Sequence, residues 1–536
     1  LAWQTPFEAR FSFKAFEQEP AILMLGMVCA LVASSTWLTM ATKLGLPVST
    51  THCIIGGVIG VGIASLGADE VVWGWNGVSQ VFAAWVIAPA IVGAFGAIVF
   101  TICKCAVLKR KNPLRAGLII IPVFFAVTTG VLTMVVVWKG APSLKLDNWG
   151  TGRILGCIFG VAGGSAVLCT LFFAPFLHRK LVMDDWQLKW YHAFYGPLLS
   201  RRGEVPPMPQ HEQKQVVQDY YSGHKTRAQL EESRTMGRDI VDDIESSKEA
   251  RVKTRSSASS DDISAVEPAH PPTAGALRLE AKDTAQVGPW YAPRNLVRKA
   301  KYYFFRGVDI DVVAEQKKKS ILAGDLEAMH ARVEHFDNKT EHLLSFLQVL
   351  TAATVSFAHG ANDVSNAIGP LAAIYLIWNT GKLSSKSPVP VWVLQVPPTA
   401  PLRCSATQET KLLTASQRLR RRRHRHRPLD LRLQHHARGL GNRLTLHSPS
   451  RGFSMEFGSA LTVVMATRLA LPISTTQCIT GATVGVGLCT GDLKAINWRM
   501  VAWIYAGWIV TLPCTGIIAG VLMGIVINAP QWGRAT

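Results

Sequence analysis

The sequence predicts an all-α, polytopic membrane protein with internal repeats and one large soluble loop. Three observations carry that reading. Apolar stretches run at Ala21–Met40, Val81–Ile102, Ala116–Trp138 and Ile154–Leu177, then at Leu344–Phe357, Ala367–Trp378, Phe457–Leu471 and Val501–Ile527. The block Met40–Cys53 returns as Met465–Cys478, an offset of 425 residues. Between the two sets of stretches, Arg179–Glu341 is hydrophilic and rich in Lys, Glu, Ser and Pro.

Most of the apolar stretches reach the roughly 20 residues that cross a hydrocarbon core. The shorter ones flank polar motifs, where discontinuous or re-entrant helices are expected. Over Met40–Ile63 against Met465–Leu488, 15 of 24 pairs are identical, and both copies contain Leu-Pro-x-Ser-Thr-Thr. Polar triplets duplicated inside apolar sequence mark a transporter with internal repeats, whose site lies where the halves meet.

Orientation follows from basic residues near the ends of the stretches. Lys104, Lys109, Arg110, Lys111 and Arg115 crowd one turn, and Arg179, Lys180, Arg201 and Arg202 follow the fourth stretch. The intervening loop, Lys139–Arg153, is less basic, and Gly67–Gly77 before them carries Asp69 and Glu70 without any Lys or Arg. Both basic loops therefore fall on one side, and the expectation is a cytosolic large loop in a multi-pass protein of the plasma membrane. The ten cysteines show no disulfide or metal spacing; most lie in apolar sequence, where reduced, packed Cys is the expected state.

The second half carries His-Gly-Ala-Asn-Asp-Val-Ser-Asn-Ala-Ile-Gly-Pro over 359–370. A carboxylate at membrane depth costs about 2.5–3.5 kcal/mol on the lenient insertion scale, so Asp363 needs a cation, a proton or a partner. Asp363 and Asn366 at i, i+3 share one helix face, and their hard oxygens suit a small cation such as sodium. The competing reading is an Asp/Asn helix cap, with Gly360 and Gly369 as breaks. Each triplet reads as a helix start inside the membrane: Pro47 and Pro472 interrupt the preceding run, and Ser49 and Ser474 are good N-caps. The free first-turn amides, with the hydroxyls of Thr50, Thr51, Thr475 and Thr476, favour an anion. The bland alternative is back-bonding of these hydroxyls to helical carbonyls. Gly56, Gly60, Gly62 and Gly481, Gly485, Gly487 downstream would let neighbouring backbones approach.

These motifs resemble the inorganic phosphate transporter (PiT) family, solute carrier family 20, and within it the phosphate-repressible sodium–phosphate symporters of filamentous fungi. The resemblance runs from about Phe16 to Trp532. It implies an inverted-repeat fold, inorganic phosphate as substrate and import driven by a cation gradient, sodium or proton. On that likeness Asp363 and Asn366 serve the cation, while Asn362, Ser49, Thr50, Thr51, Ser474, Thr475 and Thr476 serve phosphate. No cofactor is expected beyond the coupling ion; a homodimer is a further expectation. A non-transporting phosphate sensor on the same fold, or an inactive product of a faulty gene assignment, is the alternative. An enzyme is not expected, because the sequence holds no nucleophile–base constellation and no nucleotide loop.

The chain departs from the family pattern twice. The family has an Asp-bearing block in both halves; used as a ruler, the repeat puts the first copy about forty residues before Leu1. The expected layout is residues 1–20 as a wrongly assigned start, 21–177 as a truncated N-terminal repeat, 178–343 as the loop and 344–536 as the C-terminal repeat. Within the last, 395–438 reads as a retained intron followed by a frameshift. Its Arg run, Arg418–Arg427, sits where a membrane helix is required. With one choice of codons, a one-base shift over Arg418–Arg438 turns it into an apolar helix. Arg418–Arg438 holds nine Arg and one Asp, so it supplies +8 of the +20 net charge. The basic balance is therefore weak evidence for nucleic acid, and none is expected as a partner.

In the loop, Trp186, Trp190, Tyr191, Phe194, Tyr195 and Leu198 space as one face of an interfacial helix. Glu204–Pro289 reads as disordered, Ser256, Ser257, Ser259 and Ser260 as a weak regulatory phosphorylation cluster, and Tyr302–Phe305 and Leu326–Leu344 as surface helices. Asn338 opens a formal glycosylation sequon that should stay unmodified on the cytosolic side.

Overall fold

The computed structural model describes residues 16–139 except 45 and 76, 149–205 except 200, 217–235 except 218 and 234, 324–383, 443–468 and 473–529. Expectations for Arg418–Arg438, Ser256–Ser260, Tyr302–Phe305 and Pro472 lie outside these residues. The first set of helices comprises α1 (Pro20–Leu44), α2 (Thr50–Leu66), α3 (Val78–Cys103), α4 (Pro113–Lys139), α5 (Thr151–Leu168) and α6 (Ala174–Leu181). The second comprises α7 (Asn338–Thr380), α8 (Pro449–Arg468), α9 (Thr475–Leu488) and α10 (Trp498–Ile527). Six segments among the described residues are long and apolar enough to cross a membrane: Pro20–Leu44, Val78–Leu108, Pro113–Val137, Thr151–Leu181, Asn338–Gly360 and Trp498–Ile527. π-turns at Lys104–Leu108 and Cys169–Phe173 extend α3 and join α5 to α6.

The duplicated block is a structural duplication. α2 and α9 start at residues 425 apart, and their glycines do equivalent work on different partners. A Cβ on Gly56 would collide with Thr515 and with the Leu512 backbone of α10, and one on Gly60 with Gly516. One on Gly481 or Gly485 would collide with Pro89 or Gly93 of α3. Each triplet helix therefore packs backbone to backbone on a helix of the other half, α2 on α10 and α9 on α3, as small residues allow in a bilayer. That exchange interlocks the halves and brings both triplets to the centre.

α7 and α8 run side by side and are joined at two levels. Near their starts Glu341 accepts hydrogen bonds from the Ser450 backbone N–H and hydroxyl, each 2.8 Å. Further along, Thr351 donates to Glu456 at 2.6 Å. In the middle of α7, Asn362 donates to the carbonyl of Ile473, the residue before the second cap, at 3.3 Å. α7 corrects one expectation: it is continuous through Gly360, Gly369 and Pro370, with Pro370 inside the helix. Glycine inside a helix costs only about 1 kcal/mol, and interior proline is tolerated where neighbouring helices re-satisfy the freed backbone. The break expected between Leu44 and Thr50 is present, with Ser49 extended at φ −107°, ψ 128°.

The large loop is partly structured. Lys104 pairs with Glu334 at 2.6 Å and Lys109 with the same carboxylate at 3.5 Å, so the first basic turn and the returning loop share one face. Inside the stretch expected to be disordered, Tyr221 is buried and donates to Glu341 at 3.0 Å, while its ring stacks on His335. Tyr220 bonds His342, and Asn338 of the sequon is engaged by the Tyr220 N–H and by Asp219. Two adjacent aromatic residues with hydrogen-bond partners supply the burial that composition alone did not reveal. The expected helix over Trp186–Leu198 is instead a 3₁₀ segment, Trp190–Tyr195, followed by the single turn Gly196–Leu199. Gly196 and Pro197 at the junction are poor residues with which to continue a helix.

Candidate functional site

The site forms where the starts of α2 and α9 meet the middle of α7. Ser49 and Ser474 are N-caps of nearly identical backbone, φ −107° in both. The Ser49 hydroxyl accepts from the His52 N–H at 3.3 Å, and the Ser474 N–H is accepted by the Gln477 side chain at 3.3 Å. Both starts are buried, as a polar helix terminus in a membrane must be if it is to hold a ligand rather than face lipid.

From α2 the threonines reach outward. Thr50 donates to the Asp363 carboxylate at 2.9 Å, and Thr51 receives a hydrogen bond from the Asn366 amide at 2.8 Å. Thr51 also donates to the carbonyl of Ile473, the residue before the second cap, at 3.3 Å. Asn362 donates to that same carbonyl. Two residues of α7 thus touch α2, and a third joins Thr51 at the entrance to α9. Asp363 and Asn366 are mid-helix, which overturns the helix-cap reading: their side chains share a face and meet α2. The back-bonding alternative fails for Thr50 and Thr51, whose hydroxyls bond across elements.

Five of the expected residues, Thr50, Thr51, Asn362, Asp363 and Asn366, are therefore brought together by hydrogen bonds at the Ile473–Ser474 junction, and Ser49 caps the same start of α2. At α9 the Ser474 and Thr476 hydroxyls pair with each other at 2.9 Å, and Thr475 is buried on the same first turn. The chemistry is twofold. Asp363 supplies carboxyl oxygens beside neutral amide and hydroxyl oxygens, a donor set suited to a small hard cation. Two helix N-termini beside it supply amides and hydroxyl donors suited to an oxyanion. A cation between them would offset the repulsion between Asp363 and the anion.

Three features of this region were not anticipated. His52 is fully buried and accepts from the Trp85 indole of α3 at 3.0 Å. Gln477, its counterpart 425 residues on, turns back to cap its own helix. The repeat marks the pair as a mismatch, but only the fold shows two different partners. Glu456, a buried carboxylate on α8, bonds Thr351 of α7. In the sequence it stands immediately before the apolar stretch Phe457–Leu471, with Arg451 five residues earlier, so it carries no clear membrane-depth signal of its own.

The chain matches the model of the phosphate transporter family over residues 8–400 and 434–519. The gap, 401–433, falls inside the segment 395–438 that departs from the motif pattern. The phosphate-repressible phosphate permease pho-4 of Neurospora crassa is 47 % identical over 97 % of this chain and 86 % of its own length. Sodium-dependent phosphate transporter 2 of Bos taurus is 28 % identical over 94 % of this chain and 86 % of its own. A solved structure, the sodium-dependent phosphate transporter, superposes with a TM-score of 0.55 at 20 % identity, covering 99 % of this chain and 85 % of that one; it supports the fold. By the span of the family match and the identity to the fungal permease, the chain belongs to the phosphate transporter family.

Proposed function

We propose that the protein is a secondary active symporter that imports inorganic phosphate together with a cation, sodium being favoured over the proton. The observation that carries the reading is the convergence of two helix N-termini on the middle of α7, with Thr50 bonded to Asp363, Thr51 to Asn366, and Asn362 to the carbonyl before the second cap. In this reading Asp363 and Asn366 bind the cation. The first turns at Ser49–Thr51 and Ser474–Thr476, with Asn362, bind phosphate. Cation occupancy neutralises Asp363 and raises the affinity for the anion, which couples the two fluxes. The hard-oxygen set and the names of two groups of relatives, the sodium-dependent phosphate transporters 1 and 2, favour sodium. The multi-pass chain sits in the plasma membrane with its large loop and basic turns in the cytosol, following the basic residues at 104–115 and 179–202.

The test is uptake of labelled phosphate in cells without phosphate uptake of their own, across a series of sodium concentrations and external pH. Saturable uptake that depends on sodium at fixed pH is expected. Uptake that follows the proton gradient and ignores sodium reassigns the coupling ion. Phosphate binding without uptake identifies a sensor and overturns the transport reading.

A further inference from the structure

The face that carries the large loop has a second cavity, away from the triplets. It is about 660 Å³, within the range of small-ligand sites, and is lined by Pro175, His178, Arg179, Met183, Leu199, Arg202, Gly203, Glu204 and Val205. The wall is rigid for a definable reason. Arg179, itself buried, donates to Asp185 at 2.9 Å, to the carbonyls of Leu199 and Arg202 at 3.0 and 2.6 Å, and to the Gly203 carbonyl. Its guanidinium is committed to holding the 199–203 turn, and its charge is matched by Asp185. The remaining basic side chains at the mouth are then Arg202, which donates to Gln187 at 3.0 Å, and His178, both exposed, against one carboxylate, Glu204. Lys189 and Arg201 add exposed positive charge nearby, while Asp184 is occupied by Lys339 at 2.7 Å.

Beside this basic mouth the chain exposes an apolar, aromatic surface. Phe194 is 72 % exposed, Leu198 60 %, Tyr195 54 % and Tyr191 41 %. The membrane-length segment Thr151–Leu181 leads into the cavity wall, and its first part, Thr151–Leu168, contains no buried residue. Aromatic residues at the end of a membrane helix sit at the headgroup level, and basic pockets there hold anionic headgroups. A ligand that satisfies both surfaces carries phosphate negative charge and acyl chains in one molecule.

We propose that this cavity is a binding site for an anionic phospholipid of the leaflet on the large-loop side. Arg202 and His178 contact the phosphate-bearing headgroup, and the acyl chains lie along the Thr151–Leu181 segment beside Phe194 and Leu198. Glu204 disfavours doubly charged groups placed deep in the cavity and keeps the headgroup near Arg202. The ligand is distinct from the phosphate of the triplet site, and the proposal stands whether or not that site transports.

The experiment is native mass spectrometry of the full chain purified in detergent and offered phosphatidylserine, a phosphoinositide or phosphatidylcholine at equal concentration. Retention of either anionic lipid at least five-fold above phosphatidylcholine is expected. The double variant His178→Gln, Arg202→Gln should lower that retention at least five-fold. Arg110→Gln, an exposed basic residue of the other turn, should leave it within two-fold. Both cavity substitutions replace exposed side chains; Arg202→Gln removes one exposed bond, to Gln187, while the buried Arg179 bonds that hold the wall use backbone carbonyls and Asp185 and are retained. Equal retention of the three lipids, or loss equal in the Arg110 variant, overturns the site. Inorganic phosphate or a soluble inositol phosphate binding as tightly as the lipid overturns the assignment to a membrane ligand.

Discussion

The starts of α2 and α9 share Leu-Pro-x-Ser-Thr-Thr and nearly the same cap geometry, yet they are wired differently. At α2 the hydroxyls reach across to Asp363, Asn366 and Ile473 of other segments. At α9 the Ser474 hydroxyl pairs with that of Thr476, and the Ser474 N–H donates to the Gln477 side chain. His52 spends its side chain on Trp85, where Gln477 spends its own on the cap. An identical local sequence therefore specifies a helix start, while the neighbour delivered by the fold specifies what that start can bind. The α2 start is tied to the charged residue and should govern the cation. The α9 start should act mainly through its dipole and hydroxyls on the anion.

The largest effect expected on that contrast comes from Asp363→Asn. It removes the charge that the α2 start serves, and cation-coupled phosphate uptake should fall to background at normal surface expression. Uptake with unchanged cation dependence would break the assignment. Next come paired substitutions. Thr50→Val removes a hydrogen bond to a carboxylate, an interaction worth about 1.5–3 kcal/mol, and should raise the half-saturating cation concentration roughly ten-fold or more. Thr475→Val should instead raise the half-saturating phosphate concentration and leave the cation curve within about two-fold, if the starts divide the labour. Equal shifts in both curves from both variants would show one undivided site.

Smaller effects concern stability. Ser49→Ala removes the acceptor for His52 N–H and should cost about 1 kcal/mol in thermal unfolding. Ser474→Ala leaves the Gln477 contact to the backbone N–H in place, so about 0.5 kcal/mol is expected. A larger loss at Ser474 than at Ser49 would contradict the cap contrast. At the loop face, burial, then Arg451 and His224, hold His335 below its usual value of 6.5. The folded state therefore keeps His335 neutral where the unfolded chain would take up a proton. Its contribution is fully present above about pH 6.5 and is lost as the pH falls through and below that value. Melting temperature should drop between pH 7 and 5.5, and His335→Asn should flatten that drop.

Much of the architecture was legible because the bilayer imposes a coarse, local rule. Apolar runs of sufficient length became α1, α3, α4, α5 with α6, and α10, with boundaries a few residues from those read in the sequence. The start of α2 was legible from Pro47 and Ser49 because breaking and capping are short-range effects. The same local signals misled at Gly360 and Pro370, where α7 stays continuous because its neighbours stabilise it. They also misled over Asp219–Tyr221, where a Tyr-Tyr pair docks on Glu341 and His342 more than a hundred residues away.

By itself, then, the sequence determined the membrane class, the duplication, and the residue types that could hold an anion and a small cation. Hydrophobicity, helix breaking and the cost of a buried charge are encoded residue by residue. Only the tertiary structure decided that Thr50 meets Asp363, that Thr51 meets Asn366, and that each triplet helix seats its glycines on the other half. Those pairings join residues more than three hundred positions apart. They depend on which backbones can approach most closely, and a linear pattern of residue types does not contain that information.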